Sequence, residues 1–188
     1  MQTHWSHPLD AFKEAAFTNQ KTSLAYRLVR ADAVAPSPER IEQVRAICNE
    51  GPVYDILFSH IFGGKPYTAE AAAGFLNWAA QGWRERTHFI FLILDAAGGI
   101  CGNVDIKAPD LEGAEIGYWA AAAHAGIITP ALEAVCGLAR TAGYKSFFAY
   151  VVPHNDRSIR VLERNGFALD KEGVQYKGKT CDLYRRPL

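Results

Sequence analysis

The sequence predicts an α+β fold of one domain, built on a mixed, mostly antiparallel sheet of about six to seven strands. Two observations carry that expectation. Several short segments alternate apolar and polar residues with period two, and others place apolar residues at helical spacing behind capping residues. The patterns follow the order β-α-α-β-β-β-α-β-α-β-β. Its middle is a hairpin series, and the strand, helix and strand after it place the last strand parallel to its predecessor.

Residues 1–22 read as an N-terminal extension to a domain spanning 23–188. Leu9, Phe12 and Ala16 fall at helical spacing, so a short amphipathic helix is expected, packing on the body or forming a homodimer contact. Leu24, Tyr26 and Leu28 alternate as in a strand. Ser37-Pro38-Glu39 opens a helix with a capping hydroxyl, a proline at the first position and an early acid. Ile41, Val44 and Cys48 form its stripe, and Gly51-Pro52 ends it. A short helical turn is expected over 53–62, broken at Gly63-Gly64-Lys65-Pro66. Thr68 caps a longer helix with Ala71, Phe75, Trp78, Ala79 and Gly82 on one face. Those residues read as core, although His60, Tyr67, Trp78 and Trp83 could also form an aromatic lid over an acceptor pocket.

The run 89–94 is continuously apolar, and Gly98-Gly99 turns it into a strand carrying Ile100, Val104 and Ile106. A third strand is expected over 114–119. The helix after Gly126 buries Ile128, Leu132, Val135, Cys136 and Ala139 and stops at Ala142-Gly143. An apolar strand over 146–152 follows. Asn155 or Asp156 then caps a helix bearing Ile159 and Leu162, stopped by Asn165-Gly166. Phe167 opens another strand, and Lys177-Gly178 turns it into the last.

Composition narrows the function classes. Twenty Lys and Arg balance twenty Asp and Glu without bunching, so no nucleic-acid partner is expected. The longest apolar run is far short of the ~20 residues of a membrane helix. The first residues, with His4, His7 and Asp10, lack a signal peptide's apolar stretch, so a cytoplasmic protein is expected. Cys48, Cys101, Cys136 and Cys181 show no paired metal-ligand spacing and read as buried thiols.

The stretch 115–136 runs from strand to helix through small residues closing on Gly126. A helix start there offers unpartnered N–H groups and a favourable dipole to a phosphate, or it is an ordinary alanine-rich loop.

Two motifs carry a resemblance. Asn155-Asp-Arg-Ser158-Ile-Arg-Val-Leu-Glu-Arg-Asn165-Gly166-Phe167 and Glu115-Ile-Gly-Tyr-Trp with its following glycine resemble the GNAT superfamily of acetyl-CoA-dependent N-acetyltransferases. They are most similar to its ribosomal-protein alanine acetyltransferase (RimJ/RimL-like) branch. The resemblance runs from about Leu24 to the end and implies a sheet with helices on both faces. It implies acetyl-CoA as donor, no metal, and a primary amine as acceptor, on a protein N-terminus or a small molecule. Pantetheine would pair with backbone near Trp119, Ala120 and Ala121. The N–H groups of His124, Ala125, Gly126, Ile127 and Ile128 would hold the pyrophosphate, and an N–H near Trp119 the oxyanion. Ser158 would serve the departing thiolate, because Leu162 stands where many relatives carry a tyrosine acid. Asn155 would position pantetheine or water, and equally caps its helix. Glu115 would accept the amine proton, or be a surface glutamate pairing with a neighbouring strand. Ala123 replaces the usual Arg or Gln of the phosphate loop, leaving His124 as the substitute cation or as a loop histidine without a role. That altered loop also admits a non-catalytic acyl-CoA sensor or interaction module.

Overall fold

The computed structural model describes residues 6–188; His4 lies outside them. Among the described residues the strands form one eight-stranded sheet, ordered β1-β2-β3-β4-β5-β6-β8-β7. The strands are β1 (Glu14–Thr18), β2 (Ala25–Arg30), β3 (Phe89–Leu94), β4 (Ile100–Ile106), β5 (Ala114–Ala120), β6 (Ser146–Val151), β7 (Ala168–Tyr176) and β8 (Lys179–Pro187). Every neighbouring pair is antiparallel except β5 and β6, which are parallel across the expected crossover. The helices are α1 (Pro38–Cys48), α2 (Gly51–Val53), α3 (Ser59–Phe62), α4 (Ala69–Glu85), α5 (Ile128–Thr141) and α6 (Asp156–Arg164). A π-helical turn, Tyr54–Phe58, joins α2 to α3.

The added strand is β1, and it corrects the expected N-terminal helix. Pro8–Ala11 make a 3-10 turn, and Glu14 to Thr18 then pair with Val29 to Ala25. Leu9 and Phe12 are buried inside the chain, Phe12 meeting Phe91 edge-on at 5.2 Å. Pairing with an available sheet edge outweighs local helical spacing in so short a segment. The same burial removes the apolar face on which the homodimer contact was expected.

Local chemistry sets the helix starts. Ser37 Oγ accepts from the Arg40 N–H at 3.2 Å, and Thr68 Oγ1 accepts from the Ala71 N–H at 3.2 Å. α1 packs on α4 and α5 on α6. The two helix pairs cover the sheet centre so fully that β3 and β4 are buried at every position. The buried stripe of α4 is Ala72, Leu76, Ala79, Ala80, Gly82 and Trp83. The aromatic lid is not formed: Trp83 and Tyr67 are core, and the Trp83 indole donates to the Ile90 carbonyl at 2.7 Å. Trp78 lies outside the stripe, stacked on His88 at 4.0 Å. Lys177 and Gly178, with φ of 48° and 77°, make the expected tight turn between β7 and β8. All four cysteines are buried and free.

Candidate active site

The site originates where β5 and β6 part. Their parallel pairing covers only Ala114 with Phe147 and Glu115 with Phe148. Beyond Glu115 the strands diverge, leaving backbone groups of β5 without a ladder partner on that side. Which groups these are follows from strand geometry. The Trp119 N–H donates to Asn103 Oδ1 at 3.2 Å and the Ala121 N–H to the Cys101 carbonyl at 2.9 Å, so both point to β4. Alternation along a strand then turns the N–H groups of Tyr118 and Ala120 toward the gap. The oxyanion donor expected near Trp119 is therefore not the Trp119 N–H itself, because Asn103 holds it.

The far end of β5 leads into the loop before α5, where Ala122–His124 form a 3-10 turn. The N–H groups of His124, Ala125 and Ile127 bond to the carbonyls of Ala121, Ala122 and His124 within it. Those donors, expected to hold pyrophosphate, are spent on the loop's own turn. Gly126, Ile128 and Thr129 keep N–H groups without acceptors among the described residues. The next residue, Pro130, has no N–H to offer. Gly126 has φ of +100°, and a side chain there would meet Lys21 Cδ at 3.0 Å and Asn19 Oδ1 at 3.1 Å. Only glycine fits such a left-handed, crowded position.

The hairpin joining β1 to β2 thus packs on the loop. Asn19, buried, donates from Nδ2 to the Ala125 carbonyl at 3.2 Å and accepts the Lys21 N–H at 3.0 Å. The stem of Lys21 lies beside Gly126, and no local motif identified it. His124, expected at the phosphate, turns instead to β2, its Nδ1 2.8 Å from the Tyr26 hydroxyl. Among the described residues, His124, Asp95 and Cys101 each bring one potential metal-ligand atom within 4.8 Å of the others. That donor set suits zinc, although one atom of each group already has a partner, Cys101 Sγ meeting the Gly99 carbonyl at 3.5 Å. Asp95 Oδ1 accepts the Ala97 and Gly99 N–H groups, His124 is held by Tyr26, and burial pushes the Cys101 thiol up to about 12.

On one face of the diverging strands stands α6. Asn155 caps it, its Oδ1 accepting the Ser158 N–H at 3.2 Å, which leaves the amide NH2 for a ligand. Ser158 Oγ lies 2.7 Å from the Tyr118 hydroxyl, which also reaches the Ser158 carbonyl at 3.2 Å.

The opposite face carries the acids. The register sets Asn103, Asp105 and Lys107 of the β4 side beside Trp119, Gly117 and Glu115 of β5. Glu115 lies on the strand face of Gly117 and Trp119, and it is bonded. The Tyr176 hydroxyl lies 2.8 Å from each carboxylate oxygen, and the Lys107 ammonium pairs with Oε1. Tyr176 in turn stacks on Tyr150 at 4.1 Å. Asp105, which the sequence reading missed, is 9% exposed and has one long hydrogen bond, from Asn103 Nδ2 at 3.4 Å. Burial pushes its carboxyl above the usual range and Glu115 adds to this, while Lys107 and His88 oppose it. Gly117 opens the space above it, since a Cβ there would lie 2.8 Å from Asp105 Oδ1. A cleft of about 530 Å³ lined by Asp55, Ile56, Val152, His154, Lys179 and Thr180 opens at the β6 end, and Lys179 Nζ donates to the Ile56 carbonyl at 2.6 Å.

Comparison with known proteins agrees with this architecture. An acetyltransferase (GNAT) domain family matches residues 34–168. No curated protein matches the chain in sequence. Among solved structures, the microcin C7 self-immunity acetyltransferase MccE, in complex with acetyl-CoA and AMP, superposes with a TM-score of 0.69 at 18% identity, over 87% of this chain and 92% of that one. Mycobacterium smegmatis RimJ with CoA-disulfide gives 0.65 at 21% identity, over 95% and 88%. Spermidine N-acetyltransferase from Vibrio cholerae, with CoA and spermine, gives 0.61 at 16% identity, over 81% and 90%. The likeness to these structures is one of fold. The chain therefore belongs to the GNAT acetyltransferase-domain family.

Proposed function

We propose that the chain transfers acetyl from acetyl-CoA to a primary amine by direct attack across the gap between β5 and β6. One observation carries this reading: β5–β6 pairing stops at Glu115, with Asn155 and Ser158 on one side and two carboxylates on the other. The pantetheine amides pair with Ala120 and the Asn155 NH2. The pyrophosphate rests on the Gly126 and Ile128 N–H groups, and Lys21 supplies the cation that Ala123 does not.

The amine nitrogen attacks the thioester carbon, so a C–N bond forms as the C–S bond breaks and its electron pair leaves on sulfur. The N–H group facing the gap from Tyr118 holds the oxyanion, and Ser158 hydrogen-bonds the thiolate. The proton leaving the amine goes to Asp105, whose buried carboxyl has raised proton affinity. Glu115, with both oxygens accepting from Tyr176, orients the incoming amine. The acceptor is a protein N-terminus or a small-molecule amine entering through the cleft beside Asp55 and His154.

A second reading, a non-catalytic acyl-CoA sensor, is favoured by the loop's spent donors and by the capture of His124 by Tyr26. Calorimetric titration with acetyl-CoA, followed by thiol release with a panel of N-terminal peptides and polyamines, separates the two. Binding with amine-dependent thiol release supports the enzyme. Binding without release for any amine favours the sensor, and no heat at high acetyl-CoA overturns both.

A further inference from the structure

We propose that Asp95, Cys101 and His124 form a zinc site that ties the loop before α5 to the turn between β3 and β4. The three come from separate pieces of the fold: the residue after β3, the start of β4 and the 3-10 turn Ala122–His124. Among the described residues they are the only group of His, Cys, Asp or Glu to converge so, each with a ligand atom within 4.8 Å of the others'. Ligands of a tetrahedral zinc stand roughly 3.3–3.6 Å apart, so no separation has to shorten by more than about 1.5 Å. One sulfur, one imidazole nitrogen and one carboxylate oxygen favour zinc over magnesium or calcium, which take oxygen ligands. Water fills the fourth position. The inference stands apart from the acetyl-transfer reading, and its test measures no turnover.

The backbone brings the ligands together. The register of β3 on β4 sets Ile93 against Gly102 and Leu94 against Ile100, which leaves Cys101 as the extra residue of a β-bulge. A bulge of this kind re-aims a side chain. The Ala121 N–H donates to the Cys101 carbonyl at 2.9 Å and the His124 N–H to the Ala121 carbonyl at 3.0 Å, seating the loop against the bulge. Two ligands are held by one atom and keep another. Asp95 Oδ1 accepts the Ala97 and Gly99 N–H groups at 3.0 and 2.8 Å, which leaves the lone pairs of Oδ2. His124 meets the Tyr26 hydroxyl through Nδ1 at 2.8 Å, and its Nε2 has no hydrogen bond among the described residues. With its proton on Nδ1 and donated to the tyrosine oxygen, the ring presents the Nε2 lone pair, and a ligating histidine is ordinarily held in this way. Cys101 Sγ has only the long contact to the Gly99 carbonyl, at 3.5 Å, to give up. On binding, the S–H bond breaks, its electron pair forms the bond to zinc, and the proton leaves to water. One thiolate and one carboxylate then cancel the charge of the metal, so the site carries no net charge beside the core.

The test titrates the full chain with Zn²⁺ by calorimetry, a phosphine reductant keeping the thiols free, and repeats the titration with Co²⁺ followed by absorption. Wild type is expected to bind one zinc per chain, and its cobalt form to show the near-ultraviolet charge-transfer band of a thiolate ligand. Cys101→Ala should lose the band, and Cys181→Ala, at another buried thiol, should keep it. Zinc affinity should fall at least about tenfold in His124→Ala and in Asp95→Asn. The asparagine keeps an oxygen for the Ala97 and Gly99 N–H groups, so the turn survives. Hydrogen exchange over 121–127 should slow when zinc is added. No thiolate band at high Co²⁺, a band that persists in Cys101→Ala, or zinc affinity within about threefold of wild type in His124→Ala or Asp95→Asn overturns the site. Exchange unchanged by bound zinc overturns its anchoring of the loop. Circular dichroism checks that each variant is folded. If Cys101→Ala does not fold, His124→Ala, altered at a half-buried loop position, decides the question by its zinc affinity.

Discussion

Gly117→Ala probes the floor of the site with one methyl group. The backbone at Gly117 is not left-handed, so the added Cβ causes no conformational strain; its effect is steric. It would stand 2.8 Å from Asp105 Oδ1, 3.2 Å from Oδ2 and 3.0 Å from Lys107 Cε. These separations fall about 0.3 to 0.7 Å short of the ~3.5 Å of ordinary contact. Asp105 must rotate within a packed strand pair, and overpacking of that kind costs about 1–3 kcal/mol. For a chain of this length each kcal/mol lowers Tm by about 2–4 °C. The larger effect falls on chemistry. A base displaced by about half an ångström loses its aligned approach to the amine, and a displacement of ~1 Å can cost about a hundredfold. We expect kcat to fall at least about tenfold at a temperature where the variant is folded. Gly137→Ala is the control: α5 leaves nothing within 4 Å of its Cβ, so it should gain about 0.4–1 kcal/mol and keep wild-type kcat. Circular dichroism melts and thiol release measure both. Wild-type kcat in a folded Gly117→Ala would refute the placement of proton uptake at Asp105.

Three other outcomes follow from the same geometry. Asp105→Asn should lower kcat by about a hundredfold or more and remove the acid limb of the pH–rate profile; an unchanged limb would exclude Asp105 as the base. Its stability effect has the opposite sign. The fold raises the Asp105 carboxyl through burial, so the stabilising protonated form is complete below the ordinary carboxylate range and is lost as pH rises through the raised value. Asp105→Asn should therefore melt higher than wild type at neutral pH and converge with it in acid. Lys21→Ala should raise KM for acetyl-CoA about fivefold with kcat intact, and the difference should shrink at high salt; a KM equal to wild type would remove Lys21 from the pyrophosphate site.

The two motifs that carried the family resemblance were legible because their signals are local. Asn155 lies three residues before the N–H it caps, and Gly126 has to accept a left-handed φ whatever surrounds it. His124 shows the limit of that legibility. It stands in the loop before Gly126, yet Tyr26 from the other half of the chain captures its ring. Glu115 was placed on one strand face with Gly117 and Trp119 from parity alone, and parity is reliable because a one-residue slip would turn the whole buried face outward. What parity does not contain is the set of groups that fill a carboxylate's lone pairs. Tyr176 reaches Glu115 from 61 residues away, and that bond is the reason proton uptake is assigned to Asp105. The N-terminal segment misled for a related reason. Leu9, Phe12 and Ala16 fit a helix, but β2 offered Glu14 to Thr18 an edge that helical spacing does not register.

By itself the sequence determined the α+β class, the capped helices, the tight turn at Lys177-Gly178 and the strand-to-helix loop closing on Gly126. Each depends on residues a few positions apart, where capping, turn chemistry and periodicity act. Only the tertiary structure decided which groups remain free to do chemistry. It spent the Trp119, His124, Ala125 and Ile127 N–H groups on neighbours, brought Lys21 to Gly126, set Tyr118 on Ser158 and left Asp105 buried with one long hydrogen bond. Those assignments arise from sheet register and from the parting of β5 and β6, which join residues far apart in the chain and have no local signature.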